Sequence, residues 1–539
     1  MAGCALRFTG AYAMTNGPTG TGSTGGGRPT SSLNAGPPGA PEARQGRYAM
    51  TPWSVQRLYR PFIWTSILVA LTYGFGTGAG MVFAPAFGID RGLWWIVHGQ
   101  AHGVAQIFGW AGLFLMGVSF HVVPRFRNGP MDFPWPQRAV LVLVVLGISL
   151  RFFGQSLHRR PFSPDLLDAS GVLLLAGVLI YAIVIARALY RGQNDHLQTE
   201  AWIGSAVVWA VIAAALHARI VFRMADTDAV AAPGLWNIAM IDAGLIGFLV
   251  LFMLGISTRA IVGFLALKPT RRWLTWIALA LLNMGTGWHV VARHNAASDE
   301  TAAIGLLLQA TGFVVFVVAL RVLEPPARKS TYIEATYTRY EWFIRAAFVW
   351  LLAAAVLIAL DGIGMIVDDR ILGTPLSAPI IHVLTLGFVT MIIFGVGLRM
   401  LTLFEGTEAP MHWLMDTAFV SLNVGVALRL AFGFGWFGGA DQFQGLSGAL
   451  GLLALIGFGI VLRRSFSAEQ RASYARRAAA AGMERFALVR VGRGRPGAAS
   501  GIVMSAAPGP ASEDAGGSSD GPFADPPTAI RRESGGDQT

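Results

Sequence analysis

The sequence predicts an all-α polytopic membrane protein, with twelve transmembrane helices built as three repeats of four. Three observations predict it. Of 539 residues, 54% are hydrophobic and only 13% charged, about half the charged share of a soluble domain, and mean hydropathy is +0.53. Twelve apolar stretches are each long enough to cross a bilayer, which takes about 20 residues. Related segments also recur at a period near 140 residues. This composition excludes a cytosolic globular enzyme and a disordered chain. The net charge of +11 sits mostly in loops and tails, so nucleic acid is not the partner it implies; the apolar composition implies the lipid bilayer. One cysteine, Cys4, excludes a disulfide framework, cysteine-ligated zinc and iron–sulfur clusters.

In chain order, residues 1–57 read as a disordered N-terminal tail. The segment TNGPTGTGSTGGG is typical of it, no apolar signal-peptide core is present, and Met14 and Met50 are alternative starts. Residues 58–465 form the twelve-helix transmembrane domain. The spans are expected at 61–84, 95–121, 137–156, 166–189, 201–222, 235–258, 272–292, 302–322, 342–365, 378–402, 412–433 and 444–462. Some hold long uncharged runs, such as LLLAGVLIYAIVIA from Leu173 to Ala186. Residues 466–539 form a C-terminal tail that is mostly disordered; its first, Arg/Ala-rich part reads either as a short amphipathic helix on an anionic leaflet or as a solvated tail.

Lysine and arginine set the orientation. Arg44, Arg47, Arg57 and Arg60 precede span 1, and alternate loops carry Arg125, Arg127 and Arg138; Arg187 and Arg191; Lys268, Arg271 and Arg272; and Arg328, Lys329, Arg339 and Arg345. Both termini are therefore expected in the cytoplasm. The loop with Arg159 and Arg160 runs against this pattern.

The repeat is carried by FGWAGLFLMGV at 108–118, IGFLVLFMLGI at 246–256 and LGFVTMIIFGV at 386–396. In this frame Gly109, Gly247 and Gly387 correspond, as do Gly117, Gly255 and Gly395. The same shifts, 138 and 140, carry Trp64 to Trp202 to Trp342, Gly147 to Gly285 to Gly425, and Arg151 to His289 to Arg429. Helices 2, 6 and 10 are thus equivalent, and the two-half symmetry common among transporters is not expected.

With cytoplasmic termini, seven of the ten histidines fall toward the outer face. His98 and His102 lie early in helix 2, His158 in an outer loop, His217 near the outer end of helix 5, His289 and His294 at that of helix 7, and His382 at the start of helix 10; Asp242 takes the His382-equivalent place in helix 6. Ionisable groups in a span usually face a cavity, a partner or a ligand. The competing reading is hydrogen bonding between helices. As a cluster, the histidines suit iron or copper. His102 opposite His382 is the natural pair of axial ligands for a haem b. His98, His217, His289 and His294 then become candidates for copper or a second haem. Arg151, Arg219 and Arg429 suit haem propionates, with interhelical pairing, for instance to Asp242, as the alternative. Gly74, Gly76, Gly78 and Gly80 in span 1 permit close approach of a helix or a flat ring. Trp94 and Trp95 read as interfacial belt residues.

These features resemble subunit I of the haem–copper oxidases, which has the same three groups of four helices. HGVAQIFGW, from His102, is similar to the helix-2 segment there whose histidine ligates a low-spin haem, and His382 and His289 fall in helices that carry haem and copper ligands. Departures argue against a complete oxygen-reducing centre. Asp242 and Gly244 stand where helix 6 would supply a copper-binding His and a Pro-Glu, helix 7 has no His-His pair, and helix 10 has one histidine. A closer resemblance is to the NnrS family. HGQAHGVAQIFGWAGLFLMGVSFHVVPRF and HVLTLGFVTMIIFGVGLRMLTLF look like its characteristic segments. That family implies a haem- and copper-containing protein of the bacterial inner membrane, acting in nitric oxide metabolism or the nitrosative-stress response, with NO or O2 as a gas ligand. The alternatives are a divergent oxidase or nitric oxide reductase core, hence an oxidoreductase, and a secondary transporter using Arg151, Asp242 and Arg429. No C-x-x-C-H motif is present, so electrons would come from a quinone or a separate cytochrome.

Overall fold

Among the described residues, twelve helices are long and apolar enough to span a bilayer. They are α1 (Tyr59–Pro85), α2 (Leu93–Arg127), α3 (Pro134–Ser156), α4 (Ser163–Arg191), α5 (Leu197–Asp226), α6 (Gly234–Ser257), α7 (Arg272–His294), α8 (Asp299–Leu320), α9 (Tyr340–Ile366), α10 (Pro379–Met400), α11 (His412–Gly433) and α12 (Ala440–Ser465). The computed structural model describes residues 57–472 except 91, 128–133, 194–195, 328–338, 368–377, 406, 408, 434–439, 468 and 470–471. The readings of the two tails lie almost wholly outside the described residues. The protein is an integral membrane protein, and its apolar outer face contacts lipid.

The predicted spans all form, and several helices run past their apolar core. α2 continues to Arg127, whose guanidinium is taken up by Glu200 at 2.5 Å and the Leu189 carbonyl at 2.7 Å. A polar helix end anchored in this way extends the helix beyond what hydropathy marks.

Packing follows the repeat. α3 pairs with α4, α7 with α8, and α11 with α12; α4 then packs on α5, α8 on α9, and α12 on α1, so the third group closes on the first. α2, α6 and α10 occupy the middle. The most apolar window of each is 100%, 89% and 78% buried, against 39–61% for the other nine. Each of these three central helices carries an eight-residue π-helical segment, Ala105–Gly112, Val383–Thr390 and Ala243–Val250. Their starts are offset by the same 138 and 140 residues read from the sequence. π segments are rare and costly, so three in one register are strong structural support for the repeat.

The repeated glycines explain the close packing. A Cβ at Gly117, Gly255 or Gly395 would lie 2.3 Å from Phe62, 2.6 Å from Trp202 or 2.8 Å from Ile344, each on the first helix of its own group. At the third helices, Ser170 donates to the Gly147 carbonyl at 2.7 Å, and Ser447 to that of Gly425 at 2.8 Å. One sequence match does not hold: Trp202 is fully buried, whereas Trp64 and Trp342 are 36% and 53% exposed.

Candidate functional site

Between α1, α2, α6, α10, α11 and α12 lies a cavity of about 280 Å³. His102 of α2, His382 of α10 and Arg429 of α11 all line it. The remaining walls are mostly apolar, among them Phe75, Trp110 and Leu245, with Gly448 and Gly451 of α12. Trp95 lines it too, so that residue is part of the cavity wall rather than only an interfacial belt residue.

His102 is held by α1. Its Nδ1 lies 2.9 Å from the Gly74 carbonyl oxygen, which the ψ of −109° at Gly74, the last residue of the π segment Ala70–Gly74, turns away from regular helical pairing. A proton on Nδ1 makes that bond, leaving the lone pair on Nε2. This is the arrangement of a metal-ligating imidazole, fixed in tautomer and orientation by a carbonyl behind it. Gly78, one turn on, lies under the ring: a Cβ there would be 2.8 Å from His102 Cε1. Of the four span-1 glycines, Gly78 thus admits a flat ring, and that ring is the imidazole. Gly80 has nothing within 4 Å.

Arg429 is 7% exposed, and its Nε has no hydrogen-bond partner. A buried cation beside an open cavity fits an anionic group there. The other two arginines do not line this cavity. Arg151 donates to Met224 Sδ at 3.0 Å, rather than to Asp242, and Arg219 lies over the Trp236 ring at 4.7 Å.

The remaining candidate histidines are not brought together. His98 Nδ1 is 2.8 Å from the Trp94 carbonyl oxygen. His217 Nε2 is 3.2 Å from Ser170 Oγ. His294 stacks on Trp236 at 5.2 Å. His289 is fully buried, with Nδ1 3.1 Å from Asp242 Oδ2 and Nε2 accepting from Arg293 Nε at 3.3 Å. Among the described residues no group of three or more His, Cys, Asp or Glu could hold a metal ion.

The His289 site does not fit copper. Both ring nitrogens are engaged, and a guanidinium stands where a cation would have to bind. Gln309 donates to the same Asp242 oxygen at 2.8 Å, and Arg293 continues to Asp299 at 2.6 Å and Met365 Sδ at 3.3 Å. Arg293 and Gln309 were not singled out from the sequence. The available signal was the spacing of Arg293, four residues after His289 and so on the same helical face.

A family model described as NnrS protein matches residues 58–469. No curated protein matches the chain. Among solved structures, the fold is similar to that of a haem–copper terminal oxidase dimer, with a TM-score of 0.58 at 12% identity, over 77% of this chain and 84% of that one.

Proposed function

The chain belongs to the NnrS family, and on that premise we propose that it is a haem-binding protein of the bacterial inner membrane, with both termini cytoplasmic, that acts in nitric oxide metabolism or the nitrosative-stress response. His102 and His382 would hold a b-type haem. The observation that carries this is the setting of His102: Nδ1 bound to the Gly74 carbonyl, Gly78 beneath the ring, and a cavity in front of it that His382 also lines. The oxidase-like fold supports the same reading.

When bound, the haem supplies a redox-active iron. The chain's own residues do the rest. Gly74 fixes the imidazole tautomer, and the apolar walls exclude water. Arg429, buried in the cavity wall with an unpartnered Nε, would pair with an anionic group such as a propionate. Trp110 donates to Thr390 at 3.3 Å, tying α2 to α10 and so holding the two ligand-bearing helices in register. A quinone or a cytochrome would supply electrons, and NO or O2 is the gas partner.

The test is a visible spectrum of the purified full-length protein with its haem content, repeated for His102→Ala and His382→Ala. A Soret band lost in both variants is expected. Protein made with ample haem that shows no band, or variants that both retain it, overturns the assignment. Consumption of nitric oxide by the reduced protein then separates an enzyme from a gas-responsive binding protein.

A further inference from the structure

A second cavity, of about 50 Å³, lies among α2, α6 and α10 alone. Its lining follows the repeat frame. Phe114, Phe252 and Ile392 stand at equivalent positions of the three helices, and Val118, Ile256 and Val396 one turn further on. The void is therefore central to the three repeats. Ser257 is the single lining residue with a polar side chain, and its Oγ is already spent on the Met253 carbonyl at 2.6 Å. A water molecule needs two to four polar partners and this void offers at most one, the Ser257 hydroxyl as an acceptor, whereas apolar voids stay dry and take up xenon-like guests.

The void is close to the larger cavity. Ala111, Leu249 and Val389 line the larger one; three residues later come Phe114, Phe252 and Ile392. That is a rise of about 4.5 Å. All three π segments end between or beside these levels, at Gly112, Val250 and Thr390. The wide turns thus sit where the two spaces approach each other.

We propose that this central void is a binding site for a small neutral gas molecule, of the class of nitric oxide or dioxygen, entering from the bilayer and held one helical turn from the His102–His382 cavity. Its size excludes a folded lipid headgroup, its lining excludes ions and water, and the hydrocarbon around the protein dissolves such gases. The site stands on the packing of α2, α6 and α10 and does not require that haem be bound.

The experiment uses xenon as the probe. The full-length protein in nanodiscs is imaged by cryo-electron microscopy with and without xenon under pressure. A xenon peak among Phe114, Phe252 and Val396 is expected. Val396→Phe should fill the void and abolish the peak while leaving the visible spectrum unchanged; Ile393→Val should enlarge the void and keep it. Absence of the peak, continuous acyl-chain density in the void, or a peak that survives in Val396→Phe overturns the proposal. If Val396→Phe fails to fold, the unsubstituted protein and Ile393→Val decide. Loss of the Soret band with the xenon peak retained would sink the haem reading alone.

Discussion

Replacing Gly78 with alanine perturbs His102 without removing any polar group. The new Cβ would lie 2.8 Å from His102 Cε1, 3.3 Å from Nδ1 and 3.4 Å from Nε2. Ordinary contact begins near 3.4 Å, so the ring must retreat by about 0.6 Å. Gly74 and Gly78 are both on α1, so a retreat from α1 also stretches the 2.9 Å bond from Nδ1 to the Gly74 carbonyl. At about 3.5 Å that bond is effectively lost. Losing such a supporting bond behind a metal ligand typically costs 10–100-fold in affinity, about 1.4–2.7 kcal/mol. The assay is haem titration of the apoprotein followed at the Soret band, with the reduction midpoint measured on the loaded form. Gly80→Ala is the control, because a Cβ there meets nothing within 4 Å. Gly78→Ala with unchanged haem affinity and midpoint would refute the claim that α1 positions His102 for ligation.

Arg429→Gln removes a buried positive charge from the cavity wall. The midpoint should fall, because a nearby cation favours the reduced, less cationic iron, and haem should bind more weakly; potentiometric titration reads both. Asp242→Asn removes the buried carboxylate that accepts from His289 Nδ1 at 3.1 Å and from Gln309 Nε2 at 2.8 Å. A hydrogen bond to a charged group contributes about 1.5–3 kcal/mol, so thermal inactivation of the solubilised protein should begin at a lower temperature while the haem spectrum is kept. Copper measured by elemental analysis should stay far below one equivalent and should not change in His289→Ala; a stoichiometric copper lost in that variant would reverse the reading of the α6–α7–α8 network. Trp110→Phe deletes the hydrogen bond to Thr390 and should broaden or shift the Soret band by loosening α10 against α2, with little loss of protein yield.

The sequence by itself determined the number of helices, their order and the threefold repeat. Those properties are one-dimensional: a bilayer demands runs of about 20 apolar residues, and a repeat is a matter of register. Helices 2, 6 and 10 could be equated from their glycines, and the three π segments follow the same offsets. His102 and His382 could be paired because they lie early in equivalent helices, and both line one cavity. Which nitrogen of His102 is committed, and to what, was decided only by the tertiary structure, because the Gly74 carbonyl belongs to another helix and is turned out by the local backbone at Gly74, which hydropathy does not mark. The same holds for His289. Its sequence position matches a metal-ligand pattern, yet Asp242 of α6 and Arg293 of its own helix engage its two ring nitrogens, and Gln309 of α8 holds Asp242. Arg151 and Arg429 are equivalent in the repeat, but one meets a methionine sulfur and the other an open cavity. Repeat equivalence fixes where a side chain starts, and the neighbouring helix, which differs from group to group, fixes what it meets.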